Sequence, residues 1–291
     1  MDLTKNFIKS KRPCAAGFRW FLRTHQDGGD YQPLLDALVR DGRIDDACWL
    51  LTQFGPSDAV LAVDAIDASA VVFAGSLEVR GHIEVDTVIR AGRSISAGGG
   101  IRAGAAIVAG EDIKAEGSIR VAGSLEAGGH VRAGWGIEVD AVLRCEGDLR
   151  CGWDLHCGGA LSVAGNAQVG KDLVAGDAAY CGKTLRAGGV IVCADTLQAG
   201  HGIEAGATIA CRRHLEAGWG IRACGDIVAE GAIKSGESLH SEGEIRAGEA
   251  YGIYAGLIVA IDAWEASAQV RARSRPARLL SGHWVAPDAP C

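Results

Sequence analysis

Large aliphatic residues recur at every sixth position along most of this chain. The pattern is clear at Ile95, Ile101 and Ile107, and thirty consecutive hexads run without a phase slip from Val71 to Ala250. Two residues after each large residue comes Ala, Cys, Val or occasionally Ser, and Gly usually follows. A period of six matches no helical stripe, which repeats about every 3.6 residues.

The alternation of side chains in an extended segment explains this pattern. Positions i and i+2 face the same side, so the large and small slots point inward together and the residue between them points outward. We expect the Gly to provide the backbone freedom for a corner. One strand and one corner per hexad predict an all-β solenoid, a parallel β-helix whose stacked coils pair with one another.

Three hexads are expected to make one coil. When every third hexad is placed in the same class, the large slots of one class are rich in Ile, as at Ile83, Ile101 and Ile119. The small slots of that class hold bulkier residues than those of the other two classes, as at Val85 and Val121. Sorting by twos gives no such asymmetry. About ten coils at a strand spacing of about 4.8 Å predict a rod about 48 Å long. The handedness stays open.

The flanks are predicted to be caps, because the unpaired strand edges of a solenoid otherwise aggregate. We predict a helical N-terminal cap over residues 1–62, the solenoid over 63–252 and a C-terminal cap over 253–291. The predicted helices are Ala15–Arg23, Asp30–Arg40 and Ile44–Phe54. The apolar residues expected to cover the first coil are Phe18, Phe21, Leu35, Leu38, Val39, Trp49, Leu50 and Leu51.

Composition excludes several classes of protein. The chain has 42 Gly but only 6 Pro, which fits neither collagen nor a disordered linker. The net charge of -7 disfavours non-specific nucleic-acid binding, so no direct nucleic-acid contact is expected. The N-terminus lacks an apolar signal segment, and no stretch approaches the roughly 18 apolar residues of a membrane span. We therefore expect a cytoplasmic protein without membrane contact.

The cysteines are interpreted as core residues rather than as ligands. Six of the ten occupy the small inward slot: Cys145, Cys151, Cys157, Cys181, Cys193 and Cys211. Small buried hydrophobes in a reducing cytoplasm fit that slot. No Cys or His cluster has metal-ligand spacing. We therefore predict no metal site. Matches to the dinucleotide-binding motif GxGxxG arise only because the glycines are spaced six apart, so no cofactor is predicted either.

The hexad period resembles that of the hexapeptide acyltransferases, which are left-handed parallel β-helices. These enzymes use a His at a trimer interface and carry an extruded loop in their catalytic coils. Their small residue precedes the aliphatic residue by two, whereas here it follows by two, and no insertion interrupts the hexads. The histidines of the hexads occur singly, in outward or corner slots. We therefore predict no catalytic residues and a non-enzymatic function, with an acyltransferase as an alternative.

The outward slots are the candidate partner-binding positions. In an 18-residue coil they form a basic column, an apolar column and a pair of corner tryptophans. The last two are candidates because contiguous exposed apolar area and aromatic anchors mark interfaces. A solvated face is the alternative for the basic column, and packing over a corner is the alternative for the tryptophans. The residues are Lys114, Arg132, Arg150 and Arg186; Val174, Val192, Ala210 and Val228; and Trp135 and Trp153.

Several motifs carry a resemblance to bacterial hexapeptide-type β-solenoid repeat proteins with a helical N-terminal module. They are Gly134-Trp-Gly-Ile137, Gly218-Trp-Gly-Ile221, Cys14-Ala-Ala-Gly17-Phe-Arg-Trp20, Trp49-Leu-Leu51 and Ser281-Gly-His-Trp284. Such proteins resemble the repeat-built immunity group that accompanies secreted polymorphic or type VI toxins. The resemblance implies a protein-binding module whose partner is a cognate toxin. An acidic rod would suit a basic nuclease through electrostatic steering.

The hexads also resemble those of bactofilins, which are bacterial cytoskeletal β-helices that polymerise end to end. A structural scaffold is therefore the alternative to the immunity protein. Capped ends favour a binding module, whereas open ends favour a scaffold.

Overall fold

The computed structural model describes residues 2–24 and 28–286. It confirms the predicted fold class, because a parallel β-solenoid follows a small helical module. The solenoid consists of three sheets with 13, 11 and 12 strands, which we number 1, 2 and 3 in the order in which the chain enters them. Within the hexads, strands lie in register with strands 18 residues away, as Ile101 does with Ile83 and Ile119; the offset changes only at the two ends of the rod, to 17 between Ile66 and Ile83 and to 20 between Ile233 and Ile253. The coil of three hexads is thus confirmed.

The strands are short, and most contain three residues. Sheet 1 consists of Val60–Val63, Ser76–Val79, Ile95–Ala97, Ile113–Ala115, Val131–Ala133, Leu149–Cys151, Ala167–Val169, Leu185–Ala187, Ile203–Ala205, Ile221–Ala223, Leu239–Ser241, Gln269–Arg271 and His283–Trp284. Sheet 2 consists of Ile66–Ala68, Ile83–Val85, Ile101–Ala103, Ile119–Val121, Ile137–Val139, Leu155–Cys157, Leu173–Ala175, Ile191–Cys193, Ile209–Cys211, Ile227–Ala229 and Ile245–Arg246. Sheet 3 consists of Val71–Phe73, Val88–Ala91, Ala106–Ala109, Ser124–Ala127, Leu143–Cys145, Leu161–Val163, Ala179–Cys181, Leu197–Ala199, Leu215–Ala217, Ile233–Ser235, Ile253–Tyr254 and Leu279–Ser281.

Large and small inward slots alternate with outward ones, as the hexad predicts. Within one strand, Ile107 and Ala109 are buried while Val108 between them is partly exposed. Full burial of one large aliphatic side chain contributes roughly 1.5–3 kcal/mol. The stacked aliphatic side chains therefore supply most of the stability of the rod.

The corner glycines serve a different purpose from the one expected. Among the described residues, the glycines with a positive φ all lie outside the hexads. They are Gly28, Gly42, Gly55, Gly256 and Gly282. Within the hexads, the small distance between the backbones of neighbouring coils is what restricts these positions to Gly. A Cβ on Gly110 would lie 2.2 Å from the carbonyl oxygen of Gly92, one coil earlier. These glycines therefore let neighbouring corners approach closely.

Polar side chains tie successive corners together. Asp112 Oδ1 accepts a hydrogen bond from the backbone N–H of His130 at 2.6 Å, and His130 Nδ1 accepts one from Asp148 at 2.8 Å. His214 Nδ1 accepts another from the backbone N–H of Ala232 at 3.1 Å. Each bond joins residues 18 apart, so these two histidines have a structural role in the corners.

The N-terminal module contains the three predicted helices and one shorter helix. The helices are α1 (Lys5–Ser10), α2 (Ala15–Thr24), α3 (Tyr31–Arg40) and α4 (Ile44–Phe54), and strands Asp2–Thr4 and Gly28–Asp30 pair antiparallel between them. Their apolar residues form a core of their own, which two residues of the first coil, Val72 and Ala74, join. In the described ranges, no helix is long and apolar enough to cross a membrane.

This module packs against the edge of sheet 3. The amide of Gln32 acts like a strand partner, because its Oε1 accepts from the backbone N–H of Ala74 at 2.9 Å and its Nε2 donates to the carbonyl of Val72 at 3.1 Å. The carbonyl of Val72 belongs to the first strand of sheet 3, and the N–H of Ala74 follows directly after that strand. The helices were expected to cover the first coil, and Leu61 and Ile66 of sheets 1 and 2 are half-buried at this end.

At the other end, the chain continues the sheets before it leaves them. A long corner over residues 256–268 holds a 3₁₀ helix, Ile261–Ala263, and α5, Trp264–Ser267. The strand expected within Ala268–Arg273 is Gln269–Arg271 of sheet 1. The last strands pair in parallel with the preceding coil, so four short strands of the C-terminal segment continue sheets 1 and 3.

The six cysteines of the small slot are buried and free, as predicted. Cys151 Sγ donates to the carbonyl oxygens of Trp135 and Asp154 at 3.1 and 3.2 Å, and four other cysteines make the same pair of contacts. Ser241 occupies this slot in a later coil and bonds in the same way. Burial raises the pKa of all six thiols, and it raises that of Cys211 to about 12.

These thiols predict a loss of stability in alkaline solution. Above about pH 9 a thiol ionises in the unfolded chain while it stays neutral in the folded one, so the free energy of unfolding falls as pH rises toward 12. Replacing Cys211 by Ala, a residue common in this slot, makes the fall less steep. Urea unfolding from pH 8 to 11 measures the slope. Cys224→Ala, at an exposed position, is the control, and an equal change in both variants would contradict the account.

Candidate functional site

The structure places the predicted basic column in one row along the outer face of sheet 1. Lys114 lies in register with Arg132, and Arg132 with Arg150. The neutral Gln168 follows, and Arg186 comes next. All four basic side chains are exposed. The column is therefore a continuous feature of one face.

Two arginines also lie in register on sheet 2, Arg102 and Arg120, but each of them has a carboxylate partner. On sheet 2, Arg102 Nη1 lies 3.2 Å from Glu84 Oε1, one coil earlier. On sheet 3, Lys234 Nζ lies 2.8 Å from Glu216 Oε1. Opposite charges on adjacent strands stabilise a sheet, whereas like charges directly opposite destabilise it. The stack of basic residues is thus not explained by the stability of the fold.

The two ends of the row are neutralised, while its middle is not. Lys114 Nζ contacts Glu116 Oε1 at 2.7 Å, and its hydrogen bond and charge lower the pKa of Glu116. Arg186 Nη2 contacts Glu204 Oε2 at 2.7 Å. Arg132 and Arg150 form no ion pair in the part of the chain that the structure describes. These two guanidinium groups are therefore open to a partner.

A shallow groove lies beside this row. Arg150, Gln168 and Arg186 line one side of it, and Asp148 and Asn166 line the other. The backbone N–H and the Nδ2 of Asn166 donate to Asp148 Oδ1 at 2.8 and 3.1 Å, and these bonds lower the pKa of Asp148. With Arg186 bonded to Glu204 and Asn166 to Asp148, the guanidinium of Arg150 and the amide of Gln168 are the groups of the groove that can bind a carboxylate of a partner.

The two predicted tryptophans stand at the corner between sheets 1 and 2. Trp135 and Trp153 are 64% and 54% exposed, and their rings stack with centroids 6.4 Å apart at 23°. Lys171 Nζ lies 4.2 Å from the centroid of Trp153, so it extends the stack by a cation–π contact. Because both rings are more than half exposed, packing over a corner does not account for them.

A second aromatic pair, which the sequence did not identify as a site, stands at the opposite corner of sheet 1. His201 and Trp219 stack with centroids 4.1 Å apart at 1°, and Trp219 is 48% exposed. The sequence feature that could have identified this pair is its separation of 18 residues, which is also the separation of Trp135 and Trp153. Sheet 1 therefore carries exposed aromatic residues on both of its long edges.

The apolar column lies on sheet 2 as predicted, but most of it is half-buried. Val174, Val192, Ala210 and Val228 pair in register on successive strands. Only Val192 is counted as exposed, at 39%. Branched side chains that stack in this way stabilise neighbouring strands. The column is consequently a weaker candidate than the face of sheet 1.

We name Arg132, Arg150, Trp135 and Trp153 the arginine–tryptophan strip. Its basic members are expected to cost stability in the isolated chain. Arg150→Glu should raise the free energy of unfolding by about 0.2–1 kcal/mol in low salt, because it relieves the repulsion from Arg132. Salt should shrink the gain through screening.

Urea unfolding at low and high salt measures this effect. Arg186→Glu is the control, because it breaks the contact with Glu204 and should lower stability. An equal loss of stability in both variants would mean that Arg150 supports the fold.

Comparison with known proteins gives one match. Residues 1–54 match the family described as YdhT N-terminal domain. No curated protein and no solved structure matches the chain. In the described ranges, no three His, Cys, Asp or Glu side chains are grouped to hold a metal ion. The helical module is therefore similar to the YdhT N-terminal domain.

Proposed function

We propose that this chain is a non-catalytic binding rod that docks another protein on the outer face of sheet 1. The observation that carries the proposal is the arginine–tryptophan strip, in which two unpaired arginines adjoin two exposed, stacked tryptophans. Trp and Arg are enriched among the residues that dominate the binding energy of protein interfaces. The solenoid core holds them on a rigid support, so little ordering cost opposes binding.

The chemistry of the strip indicates what the partner presents there. Guanidinium groups bind carboxylates with two parallel hydrogen bonds, and indole rings pack on apolar or cationic groups. The partner surface is therefore acidic around an apolar centre. The net charge of the whole chain is -7, so this local basic strip would also orient the partner toward one face.

Within this function, we propose toxin neutralisation as the specific role. The support is the resemblance of the repeats and the helical module to repeat-built immunity proteins. A nuclease with a basic active-site cleft would contact the strip with an acidic region outside that cleft. The uninterrupted hexads between Val71 and Arg246 support a binding role over a catalytic one. A bactofilin-like scaffold, the alternative, would depend on the ends of the rod rather than on this face.

The test uses the protein encoded by the adjacent reading frame. Co-expression should restore growth of cells that this protein inhibits, and the purified pair should bind. Arg150→Glu and Trp153→Ala should each weaken binding by about tenfold to a thousandfold, the effect of losing about 1.4–4 kcal/mol at an interface centre.

Arg144→Glu on sheet 3 is the matched control, because it changes an exposed arginine of another face. It should leave binding unchanged. Failure of co-expression to restore growth would remove the immunity role. Binding that survives both strip variants would place the interface elsewhere.

A further inference from the structure

The corner at which the chain passes from sheet 3 to sheet 1 changes near the C-terminal end of the rod. In an ordinary coil, residues 218–220 form this corner, whereas residues 255–268 lie between the last two strands that it connects. We call residues 256–268 the long corner. Connections of this length are uncommon in compact domains, and those that are folded usually have a function.

The long corner is held firmly against the coil before it. The backbone N–H of Ile258 donates to the carbonyl of Gly236 at 3.0 Å, and that of Ala268 donates to the carbonyl of Trp264 at 2.9 Å. The ring of Trp264 packs on the backbone of Gly256, where a Cβ would lie 2.9 Å from its Cζ3 atom. Gly256 has a φ of 76°, a conformation that favours glycine. The outer side chains of the long corner therefore project from a fixed support.

These outer side chains are large and aliphatic. Ile261 is 94% exposed, Ile258 is 65% exposed and Leu257 is 53% exposed. In the ranges that the structure describes, no other large apolar side chain is as exposed as that of Ile261. Contiguous exposed apolar area of this kind marks a site of interaction.

The second aromatic pair lies on the same edge of the rod. The backbone N–H of Trp219 donates to the carbonyl of His201 at 3.0 Å, and that of Glu237 donates to the carbonyl of Trp219 at 3.2 Å. The N–H of Gly256 then donates to the carbonyl of Glu237 at 2.8 Å, so this ladder leads directly into the long corner. We name Trp219, Leu257, Ile258 and Ile261 the apolar corner patch.

The charged residues of this surface are acidic. The long corner contains Asp262 and Glu265 and no basic residue, and Glu237 stands between Trp219 and the long corner. All three carboxylates are exposed, and none forms an ion pair in the part of the chain that the structure describes. Arg222 lies on the adjoining face of sheet 1 and does not pair with them. The three carboxylates are thus open to cations of a partner.

We propose that the apolar corner patch binds a basic amphipathic segment of another protein. Aliphatic side chains of the segment cover Ile258 and Ile261, while its lysines or arginines pair with the surrounding carboxylates. A cation of the segment also lies over the exposed ring of Trp219. The arginine–tryptophan strip lies across sheet 1 and fits an acidic surface, so the two sites differ in position and in the charge that they select.

The acidic surroundings select this occupant over two others. A second copy docked patch to patch would bring Asp262 and Glu265 toward the same residues of its partner, and like charges across an interface oppose association. A bilayer with anionic headgroups would be repelled in the same way. A basic segment satisfies the apolar side chains and the carboxylates together.

Fluorescence anisotropy of a labelled helical peptide of leucine and lysine tests the proposal. The full chain should bind this amphipathic peptide with a Kd of about 1–100 µM in low salt, and added salt should weaken the binding. Ile258→Ser with Ile261→Ser should raise the Kd at least about tenfold. Asp262→Lys with Glu265→Lys should do the same. Circular dichroism confirms that each double variant is folded.

Matched variants separate the apolar corner patch from the charge and hydrophobicity of the whole chain. Glu242→Lys with Glu249→Lys reverses two exposed carboxylates on the two other corners, and Val142→Ser with Leu280→Ser removes two exposed aliphatic side chains elsewhere. Both should bind the peptide as wild type does. Arg150→Glu should do so as well, which makes the result independent of the arginine–tryptophan strip.

Several results would overturn the proposal. They are a wild-type chain that does not bind the leucine–lysine peptide, equal weakening in the patch variants and their matched controls, and equal binding of a leucine–glutamate peptide. Binding to phosphatidylserine vesicles that is lost in the Ile258 and Ile261 double variant would assign the patch to a lipid surface instead. Self-association in sedimentation velocity that is lost in the same variant would assign it to a second copy.

Discussion

Everything in this molecule depends on the in-register stacking of residues 18 apart. Parallel strands bring each side chain onto the residue at the same position of the next coil, so every slot forms a column of its own. Aliphatic residues stack on aliphatic residues, and the small slot accepts Ala, Cys, Val or Ser according to the space and the two carbonyl acceptors beside it. Corner glycines keep neighbouring coils close enough for the ladders to form. The rod therefore exists independently of what its outward slots contain.

The same constraint makes the outward slots informative. A charge on one coil lies about 4.8 Å from the next position in its column, so the sign of its neighbour affects stability directly. Glu84 with Arg102 shows the favourable arrangement. Arg132 with Arg150, and Asp67 with Glu84, show the unfavourable one. Where a column repeats a charge and the charges also have no ion-pair partner among the described residues, as at Arg132 and Arg150, we infer that the surface is used for binding.

The sequence predicts the fold well because the period determines it. The six-residue repeat predicts the strands, and the sorting of the large slots by threes predicts the coil. The buried cysteines follow from their slot. The corner glycines were predicted to provide backbone freedom, but none of the described hexad glycines has a positive φ, and the constraint at Gly110 is a carbonyl oxygen one coil away. A contact between coils is not visible in a local motif.

The site could be predicted only in part. The columns follow from the coil length, but the exposure of each residue depends on the packing of its neighbours. Val174 and Val228 are therefore half-buried, although their slots point outward. His130 and His214 act as corner acceptors, which their isolated positions in the sequence did not indicate. The partial cover of the first coil depends on how the helical module docks, and one residue, Gln32, directs it to sheet 3.

Distances between spin labels test the 18-residue coil most directly. With the accessible cysteines replaced, labels at Glu78 and Gln168 on sheet 1 span five coils and should lie about 24 Å apart. Labels at Glu78 and Glu204 span seven coils and should lie about 34 Å apart. A coil of two hexads would give about 36 and 50 Å for the same pairs. Those longer distances, or distances that do not increase with coil number, would contradict the account.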